Sequence, residues 1–206
     1  MPLLRLLALC FVASLLTSTS GFADVRQPPM SRVRGMIESI NGDLLIVKKN
    51  DGHNVTMKMT PNAAVTGVEK IALSDIAPGA YVGVTSVADS QGNQKATEVH
   101  LFPNSLRGAG EGTRSWDTAP NSSMTNGGLD KMVDSNNGRT LTVKYKTGEQ
   151  KILVPPEAVI VKYVPGDRAE LKPGARIFIA AAQRQGDGTL SAMSVAVGRD
   201  GLTPPM

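Results

Sequence analysis

Asp75-Ile-Ala-Pro-Gly79 and Glu170-Leu-Lys-Pro-Gly174 carry one punctuation twice: an acidic residue, two spacers, then Pro-Gly, 95 residues apart. A second echo, Gly92-Asn-Gln-Lys-Ala-Thr-Glu-Val99 against Gly188-Thr-Leu-Ser-Ala-Met-Ser-Val195, has a spacing of 96. An offset that persists through strand, turn and loop signals marks a duplicated module. The two copies therefore fold alike, and a residue present in only one of them is not needed by the shared fold.

Within each copy the local signal is β. Arg139-Thr-Leu-Thr-Val-Lys-Tyr145 alternates strictly, Gly148 follows as a turn, and Gln150 to Val154 returns, which is a hairpin pattern. The first copy repeats it: Leu45 and Val47 align with Leu141 and Val143, Gly52 with Gly148, and Met57 and Met59 with Ile152 and Val154. Further on, Val82 and Val84 match Ile177 and Ile179, and Val99 and Leu101 match Val195 and Val197. These shared apolar positions, two apart, predict the inward faces of the strands. Leu73 to Ala77 and Arg168 to Lys172 each precede Pro-Gly, so they hold at most one helical turn. Five or six short strands with Gly-rich turns predict an all-β chain of two tandem small OB-like β-barrels, whose closure protects the sheet edges. Each copy has about 70 residues, a size at which a lone core is marginal, so the copies are expected to pack together or share strands. The expected boundaries are 1–23 for a signal peptide, 31–103 for the first barrel, 104–126 for a connector, 127–200 for the second barrel and 201–206 for a tail.

Val33-Arg-Gly-Met-Ile-Glu-Ser-Ile40, Asn50-Asp-Gly52, Asp75-Ile-Ala-Pro-Gly79 and the closing Gly198-Arg-Asp-Gly-Leu-Thr-Pro-Pro-Met206 resemble the DUF5666 domain proteins of Gram-negative bacteria. The resemblance covers most of the chain after the N-terminal segment. It implies a secreted β-barrel module of uncharacterised function, some relatives carrying a "metal ABC transporter permease" label.

The N-terminus predicts export. Met1 to Arg5 is a short basic start, Leu6 to Leu16 an apolar run too short to span a bilayer, and Gly21-Phe22-Ala23 offers small residues for cleavage. Ser14, Thr17, Ser18, Thr19 and Ser20 dilute the run and disfavour the competing reading, an uncleaved anchor. Leu9 before Cys10 disfavours a lipid-attachment site. Cleavage removes Cys10, the chain's one cysteine, leaving no thiol for a disulfide, a metal or nucleophilic catalysis. A periplasmic protein without a later transmembrane segment is the expectation. Of the 22 Lys and Arg only Arg5 leaves with the signal, and none of the 18 acidic residues does, so the remainder carries an excess of three. That charge is scattered, unlike the clustered basic face of a nucleic-acid binder.

The connector differs from the repeats in kind. Gly108, Gly110 and Gly112 loosen it, and it carries Arg114, Asp117 and the single tryptophan, Trp116. Two readings follow. Trp116 flanked by Arg114 and Asp117 can stack on and hydrogen-bond a planar or sugar-like ligand. Alternatively, Trp116 plugs the seam between lobes while Arg114 and Asp117 tie the connector down, since a long linker without secondary structure needs an anchor.

A soft-metal site is the alternative elsewhere: His53, Met57 and Met59 on one strand offer a donor set for Cu(I). Against it, the other repeat has Glu149, Ile152 and Val154 at those places, so the methionines stand where aliphatic side chains suffice. His100, between Val99 and Leu101, is predicted to face solvent. With two histidines and no nucleophile motif, no triad or zinc hydrolase site assembles, and the equivalent pairs Asp75 with Glu170 and Asp89 with Asp187 read as turn formers. The expectation is a non-catalytic binding or scaffolding protein, without a cofactor, whose partner is an envelope protein or a small ligand.

Overall fold

The computed structural model describes residues 30–205, so the predicted signal peptide, Met1 to Ala23, lies outside the described residues. Twelve strands account for the architecture: β1 (Met30–Asn41), β2 (Leu44–Lys49), β3 (Asn54–Lys70), β4 (Tyr81–Ala88), β5 (Gln94–Leu101), β6 (Gly112–Ser115), β7 (Ser122–Ser135), β8 (Gly138–Tyr145), β9 (Gly148–Val154), β10 (Val159–Pro165), β11 (Arg176–Arg184) and β12 (Leu190–Gly198). Helical structure among the described residues is limited to three single 3-10 turns, two of them at the sites predicted before Pro-Gly, Leu73–Asp75 and Arg168–Glu170. None is a helix long and apolar enough to cross a membrane.

The strands close into a five-membered ring, β1-β2-β3-β12-β11 and back to β1. A second ring runs β7-β8-β9-β5-β4 and back to β7, its parallel β5–β9 closure resting on Gln94↔Ile152 and Lys95↔Leu153. Each ring encloses an aliphatic core. Leu45, Val47, Met57, Met59, Ile177 and Ile179 fill the first, and Val82, Val84, Val99, Leu141, Val143 and Ile152 the second. The inward positions read from the alternation are thus the buried ones.

The sharing of strands expected between the copies takes the form of an exchange, so neither 31–103 nor 127–200 closes a ring by itself. Each ring takes its first three strands from one repeat and its last two from the other, a reciprocal exchange within one chain. Periodicity is blind to that choice, because β4 and β5 bury the same face whether they return to β1 or cross to β7. The exchange is repeated residue for residue. Gly79 N–H donates to Leu129 O at 2.7 Å, and its equivalent, Gly174 N–H, donates to Ile37 O at 2.8 Å. Both glycines end the Pro-Gly turn with positive φ, +82° and +87°, a conformation that costs other residues steric strain.

The first strand of each repeat bends sharply as it passes between two partners. Gly35 and Gly127 sit at that bend, and a Cβ on either would strike backbone, the carbonyls of Lys48 and Lys144 respectively. Between the rings lies β10, antiparallel to β3 and parallel to β5. Its pairing with β3 centres on Val68↔Tyr163, two residues one repeat spacing apart. A local two-fold axis therefore passes through this pair and relates the halves.

The connector, expected to be ordered but without secondary structure, carries regular elements. It contains a 3-10 turn, Asn104–Leu106, and β6, which pairs with β7 from Gly112↔Asn126 to Ser115↔Ser123. The tail also packs inward, with Leu202 against the seam cluster and Pro204 buried.

Because the rings hold each other's strands, cutting the connector should not part them. A protease site inserted after Ser105, once cleaved, is expected to leave both fragments co-eluting at the intact size and to release them only in denaturant. Fragments that separate in native buffer would disprove the exchange.

Candidate functional site

Five of the six aromatic residues among the described ones, Tyr81, Phe102, Trp116, Tyr163 and Phe178, gather around the seam, while both barrel cores are aliphatic. Phe102 meets Tyr163 edge-on at 5.3 Å and Tyr81 at 5.7 Å, spacings that suit aromatic pairs. A cavity of about 420 Å³ opens among them, walled by Phe102, Trp116, Tyr163 and Phe178, with small residues, Ala180 and Ser194, on its outer wall. Burial, with the charge of Glu98 second, raises the pKa of the Tyr163 hydroxyl, which stays a neutral phenol.

Local chemistry in the connector sets the Trp116 side chain there. The Trp116 N–H donates to Ser122 O at 2.8 Å, and the Ser122 hydroxyl donates to Ala119 O at 2.7 Å, closing the turn between β6 and β7. Asn121 takes φ 59° within this turn, a left-handed conformation that asparagine tolerates. Upstream, Ala109 O accepts from the Tyr81 hydroxyl and from Asn126 Nδ2, both at 3.1 Å. Arg107 donates to Gly79 O at 2.7 Å. These bonds fasten the connector to the second ring.

Asp117 fastens it to the first. Its carboxylate accepts from Arg34 at 2.7 and 3.2 Å and pairs with Arg32 at 3.4 Å, both arginines standing on β1. Hydrogen bonding from Arg34, then the charges of Arg34 and Arg32, hold the Asp117 pKa below the usual aspartate range against a raising effect of burial. Arg32 also lies 3.8 Å from the centroid of the Trp116 ring, and Arg114 5.4 Å, both inside cation–π reach.

Of the three residues predicted to bind ligand, Arg114 and Trp116 therefore line the cavity, whereas Asp117 lies outside its lining and serves as the tie. The anchoring role is partly as predicted. Asp117 does hold the connector down, but the Arg114 guanidinium bonds only within its own segment, to Gly110 O at 2.6 Å. Trp116 lies at the seam with its Nε1 buried and without a protein acceptor; Asn126 Oδ1 is also buried and unpartnered. An unmade hydrogen bond at a buried polar atom costs on the order of 1–3 kcal/mol, so these two atoms are places where an ordered water or a ligand would be held.

His53, Met57 and Met59 are not brought together. His53 is exposed at the β2–β3 turn, while Met57 and Met59 are fully buried in the first ring, opposite Leu190 and Ala192. Four residues of extended strand, about 13 Å, separate His53 from Met57. Among the described residues no group of three His, Cys, Asp or Glu side chains is close enough to hold a metal.

His100 is also placed differently from the expectation of solvent exposure: it is 0% exposed. It does point outward from its own ring, but β10 and the seam aromatics cover that face, with Phe102 at 5.7 Å and Tyr163 at 5.9 Å. Its Nε2 approaches Glu98 Oε1 at 2.7 Å without the alignment of a hydrogen bond. The sequence did hold a signal for this pair, since the equivalents of Glu98 and His100 are Ser194 and Ala196. Asp75, Asp89 and Asp187 accept backbone N–H groups of their own turns, as predicted.

Comparison of the chain with protein-family models, curated proteins and solved structures finds no match.

Two outcomes are expected. As pH falls, the Asp117 tie, present above the ordinary aspartate pKa of about 3.9, is lost through its lower folded value. Trp116 emission should show an acid transition that Asp117→Asn removes, with a stability effect below about 1 kcal/mol because solvent screens the carboxylate. Met57→Leu plus Met59→Leu should cost under about 1.5 kcal/mol each, as volume-conserving core changes do. Copper should raise the melting temperature of neither form; a rise seen only with the methionines present would restore the metal reading.

Proposed function

We propose that the protein is a non-catalytic, exported binding protein that holds a small, largely apolar ligand in the cavity at its seam. The observation that carries this reading is the indole N–H of Trp116, a buried donor without a partner on a residue that lines a cavity whose walls are aromatic and aliphatic. Ligand sites are concave and mostly apolar, with few convergent polar groups, and about 420 Å³ falls within their usual range. The duplication adds support. A connector without a counterpart in the repeats supplies Trp116, Arg114 and Leu106, so the shared fold does not account for them. Export is part of the proposal and rests on the pattern of Met1 to Ala23. A DUF5666-like module would suit this reading, since a secreted barrel without catalytic groups acts by contact.

Trp116 is the single tryptophan, so emission reports on the site alone. Titration with a neutral naphthylamine dye should quench Trp116 saturably. Ala180→Leu plus Ser194→Leu, two exposed wall positions, should weaken the dye at least tenfold while the fold persists by circular dichroism. A non-saturating response, or one indifferent to filling the cavity, would defeat the proposal.

A further inference from the structure

Around Trp116 the charges do not balance. Arg32 and Arg34 both pair with the Asp117 carboxylate, and among the described residues Arg114 has no acidic side chain within ion-pair distance. Among the described residues that line the cavity, Arg114 is the single charged one. Partial burial, then the neighbouring charge of Arg32, disfavours its protonated form, and a bound anion would offset both effects. Across the repeats, Gly127 is the counterpart of Gly35, which sets Met124 and Asn126 opposite Arg32 and Arg34. The basic cluster is thus no requirement of the fold.

We propose that the cavity selects an amphipathic anion, its carboxylate received by the Arg114 guanidinium and the Trp116 indole N–H and its apolar body lying against Phe102, Tyr163 and Phe178. This rests on the seam-cavity reading and adds the chemical class of the ligand. Three observations concern side chains that line the cavity. Arg114 offers unshared N–H donors in a planar fork that matches a carboxylate. Trp116 Nε1 offers a further donor, already stripped of solvent. Asn126, 5% exposed, also lines the cavity and keeps an unpartnered Oδ1. Gly110 leaves room for two of these residues: a Cβ there would lie 3.1 Å from the Arg114 guanidinium and 3.2 Å from Asn126 Nδ2. A second substituent able to donate to Asn126 Oδ1 would add to the fit. The volume accommodates roughly a dozen non-hydrogen atoms at about 30 Å³ each, the size of a bicyclic or medium-chain monocarboxylate. A saccharide is a poorer match, since the walls offer few polar groups to pair with its hydroxyls.

The test compares 2-naphthoate with 2-naphthalenemethanol, the same body with and without the charge, by calorimetric titration of the full chain. The carboxylate is expected to bind at least tenfold tighter. Arg114→Gln should reduce that preference to within about twofold, and Arg114→Lys should restore part of it. Melting curves check that both variants stay folded, as expected for an exposed side chain bonded only to Gly110 O. Equal binding of the two probes to the natural chain would overturn the anion proposal while leaving the cavity reading in place. Binding of neither would overturn both. Naphthoate binding that survives Arg114→Gln, or survives Ala180→Leu plus Ser194→Leu, would place the anion elsewhere and overturn the proposal.

Discussion

The antiparallel ladder between β3 and β10 is the contact on which the rest of the architecture turns. It runs from Thr66↔Pro165 to Lys70↔Val161 and joins each repeat to its counterpart across the local two-fold. Val68 and Val161 are fully buried along it, and Lys162 pairs with Glu69 at 3.1 Å, with Arg199 on the other side of that carboxylate at 2.6 Å. Once the ladder is in place, the strand after each Pro-Gly turn begins beside the other repeat. A repeat of about 70 residues closing on itself would have a core of marginal size. Exchange merges the two cores into a single sheet, in which unfolding one ring strips two strands from the other.

This explains what was legible in the sequence and what was not. Strand type, inward faces, hairpins and Pro-Gly turns are local properties, and Leu45, Val47, Leu141 and Val143 are all buried as their alternation requires. Partner choice is not local. His100 shows the cost of that blindness, since its position in the alternation marks the outer face of a ring, yet in an exchanged sheet that face is interior. The connector was legible in composition, as the place of the lone tryptophan, but not in geometry. Arg114 and Trp116 reach the cavity and Asp117 does not, because the turn closed by Ser122 turns Asp117 toward the β1 arginines.

The cavity itself follows from departures from the internal symmetry. Tyr163 stands opposite Val68, Phe178 is the counterpart of Gly83, and Phe102 that of Gly198. At Gly83 a Cβ would come within 2.8 Å of the Phe102 ring and of Asn126 Oδ1, so its absence lets Phe102 settle against the strand. On the other half, Ser194 and Ala196 replace Glu98 and His100, leaving room where the first repeat has bulk. One half thus fills its outer face with a buried acid–imidazole pair while the other leaves a concavity, and the connector covers the concave side.

Placement at the seam has a thermodynamic consequence. Phe102 comes from the first repeat, Tyr163 and Phe178 from the second, and Trp116 from the segment between them, so the cavity exists only while the exchanged strands are docked. A ligand that binds the docked state and not the undocked one stabilises the whole assembly in proportion to its occupancy. Binding is then felt at the β3–β10 ladder without a conformational change having to travel there, because Tyr163 belongs both to the cavity wall and to the pair on the two-fold axis. In this protein the element that joins the halves and the wall of the cavity share a side chain.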